Sequence, residues 1–192
     1  LTMQINDGTG RGYVAKVTSG NRLAVDLDEG ALKAAEGGGL YTVTTTSALP
    51  SLTMTSTGGV LMYLENTAGS NKNIVIDEVL VSGSASMICS IVLNHVRGTI
   101  ADETAITPTS SHTATALSAP TGVNAWAWDE ANHGIGGITG GAYVLTTLLG
   151  TGGPLVIASG SRFIVAPGGS ISVYMKNAGE GTAAIRFYEV DA

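Results

Sequence analysis

From Leu40 to the end of the chain, apolar residues fall in short runs that alternate with Thr, Ser and charged positions and stop at Gly, Pro or Asn. That period of two is the signature of strands with one buried face, and its repeated interruption sets strand-length rather than helix-length elements. Strands are predicted at Leu40–Thr46, Val60–Leu64, Ile74–Ser82, Ser86–Val96, Ala142–Leu149, Leu155–Ala158, Arg162–Val165, Ser170–Asn177 and Ala183–Val190. Alternation is clearest in the last two. Ile171, Val173 and Met175 oppose Ser172, Tyr174 and Lys176, and Ile185, Phe187 and Glu189 oppose Arg186, Tyr188 and Val190. Gly83-Ser84-Ala85 reads as a hairpin turn between two β-branched runs, and the first two strands read as a pair. One short helix is expected over Glu29–Glu36, capped by Asp28 and stopped by Gly37-Gly38-Gly39.

Turn signals about every eight to twelve residues across the C-terminal half favour an all-β fold, an antiparallel β-sandwich or jelly roll, over a parallel sheet with crossover helices. The triple glycine divides the chain into an N-terminal arm, residues 1–39, and a body, residues 40–192. Fully extended, the arm would reach about 130 Å, enough to cross a neighbouring subunit. Within the body, Ala101–Asn132 is rich in Thr, Ser and Ala and carries Pro108 and Pro120; it is read as a long excursion where function or oligomer contacts would collect.

Composition supports a folded, weakly charged protein. Hydrophobic residues make up 44% of the 192 and charged residues only 12%, with 27 glycines; the usual charged share is about 25%. The net charge of −6 argues against nucleic-acid binding, which needs clustered Lys and Arg. The charge-free stretch Gly134–Ser161 is cut by glycines, threonines and Pro154 into strand-length pieces, so no membrane span is expected. The single cysteine, Cys89, sits in an apolar run and reads as core.

Candidate chemistry is sparse. Gly8-Thr9-Gly10-Arg11-Gly12 lacks the Lys-Ser/Thr of a phosphate loop, and no cofactor is expected. His95, His112 and His133 stand far apart without carboxylates at zinc-ligand spacing, so no metal site is expected. No Gly-x-Ser-x-Gly elbow occurs. The adjacent pairs Asp102-Glu103 and Asp129-Glu130 would point to opposite faces of a strand, a poor arrangement for paired catalysis. No enzyme is expected. Trp126 and Trp128, two apart, would share a strand face as an interface anchor or a carbohydrate platform.

Two segments carry a resemblance. Asn6-Asp7-Gly8-Thr9-Gly10-Arg11-Gly12-Tyr13, with Ala15-Lys16-Val17 and Asn21-Arg22-Leu23, and the strand Gly58-Gly59-Val60-Leu61-Met62-Tyr63-Leu64-Glu65-Asn66 together resemble virion structural proteins of tailed bacteriophages. The resemblance implies a capsid decoration, or cement, protein on the outer capsid surface, bound to the major capsid protein and commonly trimeric. On that reading Asn6, Asp7, Gly8, Gly10, Arg11, Gly12, Tyr13, Lys16 and Arg22 are the expected capsid-binding residues, and the body forms a homotrimer. The alternatives are a head-fibre or receptor module binding sugar through Trp126 and Trp128 and, more distantly, a carbohydrate-active enzyme using Asp129 or Glu130.

Overall fold

The chain divides into two units, Leu1–Gly30 and Ala31–Ala192. The computed structural model describes residues 39–45, 52–54, 58–98, 104–110, 120, 122–127, 138–151 and 154–192, all in the second unit. The helix expected at Glu29–Glu36 lies outside them.

Twelve strands account for the described residues: β1 (Leu40–Thr44), β2 (Leu52–Met54), β3 (Gly59–Asn66), β4 (Lys72–Gly83), β5 (Met87–Arg97), β6 (Thr104–Ile106), β7 (Thr109–Ser110), β8 (Val123–Ala127), β9 (Ile138–Leu149), β10 (Leu155–Val165), β11 (Ser170–Lys176) and β12 (Gly179–Asp191). They form two antiparallel sheets. The first runs β10-β4-β12-β1-β7, with β2 also paired to β12; the second runs β6-β8-β3-β11-β5-β9.

Long-range pairing is nested. β1 pairs β12, β3 pairs β11, β4 pairs β10 and β5 pairs β9. Eight strands matched first-to-last in this way and divided between facing sheets form a jelly roll, as the alternation and turn spacing lead one to expect.

Alternation decides which face is buried. Along β12, Ala183, Ile185 and Phe187 turn inward between half-exposed Thr182, Ala184 and Arg186. They meet Leu61, Leu64, Ile91, Ile171 and Val173 of the second sheet in one core. Phe187 is fully buried and stacks on Tyr41 with ring centroids 5.7 Å apart. Cys89 lies in the same core, and burial pushes its thiol up to about 12, so it stays protonated and inert.

The outer faces carry the polar partners. A register shift on β4 at Asp77 brings two successive carboxylates round one guanidinium. Arg186 Nε donates to Asp77 at 3.1 Å, and Nη2 donates to Glu78.

Fully buried Asn66, at the end of β3, ties the sheets together. Its Nδ2 donates to the carbonyls of Lys72 at 2.7 Å and Val165 at 2.8 Å, the first residue of β4 and the last of β10. Its backbone N–H donates to Gly169 O at 3.0 Å, and its carbonyl accepts from Gly168 N–H at 2.7 Å. One side chain thus closes two corners where the chain changes sheets.

Local turn signals misassign two strand pairs. Gly83-Ser84-Ala85 does not close a hairpin, because β4 and β5 lie in different sheets. Ser84 N–H instead donates to Glu180 O at 2.9 Å, and Glu180 N–H donates to Ser84 Oγ at 2.9 Å, pinning this corner to the start of β12. Likewise β1 pairs β12 and β7 rather than β3. The runs 155–158 and 162–165 join into β10, whose register shifts between Ser159 and Phe163.

The described residues of the excursion 101–132 form three strands. β8 and β6 extend the second sheet beyond β3, and β7 extends the first beyond β1. Ile106 enters the core and Pro108 is buried between β6 and β7, so residues 104–110 cross from one sheet to the other over this flank.

Candidate functional site

The outer face of the second sheet gathers aromatic, hydroxyl, imidazole and guanidinium side chains from four strands. Tyr63 on β3 and Trp126 on β8 are cross-strand partners, with ring centroids 5.8 Å apart at a tilt of 49°. β11 contributes Ser170 and Ser172, whose neighbours Ile171 and Val173 face the core. The fourth contributor is β5, and its last turn of chain decides the geometry.

Asn94 has φ of 56°, a left-handed conformation that asparagine tolerates better than most residues. It lies where β5 passes the start of β11. Beyond it, the His95 carbonyl accepts from Tyr63 Oη at 3.1 Å and from Ser170 Oγ at 2.8 Å. Arg97 then places its guanidinium carbon 3.9 Å from the centre of the Trp126 ring, a cation–π contact.

His95 is buried. Its Nδ1 lies 2.7 Å from Ser172 Oγ, and Ser172 Oγ also donates to Val92 O at 3.3 Å. Against the other side of the imidazole runs the backbone of Gly141, whose φ is +83°. Burial lowers the His95 pKa below its ordinary value of 6.5, keeping the ring neutral, and burial likewise raises Tyr63.

Chemically, this face is built to hold strands together. Ser172 is fully buried, so its contact with His95 offers no nucleophile to an outside substrate. Among the described residues, no group of His, Cys, Asp and Glu could hold a metal ion. One face of the Trp126 indole is taken by Arg97, which removes a stacking surface that a sugar ring would need.

A pH dependence follows from the His95 burial. The unfolded chain takes up a proton near pH 6.5 more readily than the folded one, so this contribution to stability is intact above that pH and is lost progressively as pH falls below it. Urea midpoints measured between pH 7.5 and 5 are expected to fall more steeply for the parent chain than for His95→Gln. Equal slopes would place the titration elsewhere.

Of the residues singled out from sequence, Trp126 lies in this site and is half-buried. Trp128 and the nine arm residues from Asn6 to Arg22 lie outside the described residues. Tyr63, Arg97 and the His95–Ser172 pair were missed as a group. Their only local signal is an asparagine inside a strand run, and their meeting depends on the β8-β3-β11-β5 order.

No protein-family model, curated protein or solved structure matches this chain.

Proposed function

We propose that this protein is a capsid decoration protein of a tailed bacteriophage, whose arm attaches to the major capsid protein on the outer shell and whose body associates as a trimer. The resemblance of residues 5–23 and 58–66 to phage head proteins carries the reading. The jelly-roll body is compatible with it, because a rigid two-sheet scaffold can present three arms at once and turn weak single contacts into avid ones. Binding only the assembled shell would stabilise that shell by mass action, without any catalytic step. A head-fibre or receptor module is less well supported, since Trp126, one of the two aromatics it would use, is already engaged by Arg97 and Tyr63.

The test is to heat empty capsids of the virus that encodes the chain with and without saturating protein. The disruption temperature is expected to rise by several degrees and to plateau at a fixed copy number per shell. A saturated shell that melts at the unliganded temperature would contradict cementing.

A further inference from the structure

The two flanks of the sandwich are treated differently. At one, β7 extends β1, β8 and β6 extend β3, and residues 104–110 pass between the sheets. At the other, β9 ends the second sheet and β10 ends the first, and among the described residues neither has a partner on its outer side. These edges span 12 and 11 residues.

Long edge strands invite pairing, and soluble proteins usually blunt them with charge, proline or brevity. On this flank the register shifts of β10 interrupt one edge, but charge and proline give little protection. Arg162 on β10 is the one charged residue in either strand, and Pro154 falls in the connection rather than in a strand. Exposed apolar side chains wrap around it: Tyr143, Val144 and Leu148 on β9, and Leu155, Val156 and Ile164 on β10. Leu148 is 65% exposed, Ile164 63% and Tyr143 59%. Among the described residues, six of the eight exposed large apolar side chains thus belong to two consecutive strands. Such clustering marks an interaction surface rather than ordinary scatter.

Charge identifies the occupant. The chain carries a net charge of −6, so copies repel over most of their surface, and this flank is where two can approach without opposing like charges. Identical copies also supply the complementary element, an uncharged β9 edge to meet a β10 edge whose one charge is Arg162, and among the described residues neither edge has its outer backbone groups paired.

We propose that the β9–β10 flank is the self-association surface of this protein, with the β9 edge of one copy meeting the β10 edge of the next. The proposal takes from the function above only the premise that the body self-associates. Head-to-tail contacts of this kind close into a ring when the rotation between copies permits, and a threefold ring satisfies both edges of every copy.

Light scattering on the full chain after gel filtration tests it. The parent chain is expected to run as a trimer, and Leu148→Lys combined with Val156→Lys to run as a monomer with an unchanged far-UV spectrum. Val190→Lys, an exposed apolar position on β12, is expected to leave the mass unaltered. A dimer dispersed by the lysine pair would support the surface and overturn the threefold count. A parent chain that is monomeric throughout, or an oligomer that survives the lysine pair, would overturn the surface itself. A monomeric parent whose capsid binding is lost with the lysine pair would assign the flank to the shell instead of to a second copy. Loss of shell stabilisation with self-association intact would count against the capsid function and leave this surface standing.

Discussion

Gly141→Ala is expected to destabilise the body by about 3 kcal/mol, from two independent causes. The residue sits at φ +83°, where an L side chain costs about 1–2 kcal/mol. Its new Cβ would also lie 2.3 Å from His95 Cδ2 and 2.8 Å from Val92 Cγ1. The imidazole cannot swing aside freely, because Nδ1 is engaged by Ser172 at 2.7 Å, so relief requires backbone movement or loss of that contact. Overpacking of this kind adds about 1–3 kcal/mol. For a domain of this size the combined loss corresponds to a fall in melting temperature on the order of 6–12 °C.

Gly140 provides the internal comparison. Its φ is +70°, yet an added Cβ meets nothing within 4 Å, so Gly140→Ala should show only the backbone part, about 1–2 kcal/mol. Urea denaturation of both variants separates the two causes. Equal losses at 140 and 141 would mean that the His95 contact does not constrain the strand.

That contact also explains why the fold was more legible in the sequence than the site. The class follows from local alternation: Ile171, Val173 and Met175 declare an inward face without knowledge of any neighbour, and the structure buries all three. Partner choice is not local. Ser84 looks like hairpin chemistry, but its bonds go to Glu180, ninety-six residues away. Strands β6, β7 and β8 were hidden for a related reason. Their buried residues include Ala125 and Ala127, whose small side chains give a weak apolar signal and become core only because β3 lies beside them.

The site depends on still subtler features. Trp126 stands out in any reading of the chain, but the residues that engage it come from β3 and β5. Tyr63 reaches it by pairing register, and Arg97 by the left-handed step at Asn94. Neither follows from spacing along the sequence. The result changes the weight of the sugar-platform reading, since a half-buried indole already held by a guanidinium and a phenol is better suited to packing.

Removing residues 1–23 is expected to abolish capsid binding while leaving the body folded. The deletion removes none of the described residues, and the jelly-roll core, the Asn66 corner and the Trp126 cluster are built from residues that it keeps. It removes Asn6, Asp7, Gly8, Gly10, Arg11, Gly12, Tyr13, Lys16 and Arg22, the whole set assigned to attachment. Because each trimer would present three arms, the loss should exceed that from any single substitution within the arm: avidity makes the intact assembly bind far more tightly than one arm alone.

Co-sedimentation with empty capsids, at low and high salt, is therefore the most direct measurement. The full chain should pellet with shells to saturation, while the chain lacking residues 1–23, with an unchanged melting temperature, should stay in the supernatant. Equal pelleting of the two chains, or failure of the full chain to pellet, would contradict attachment through the arm.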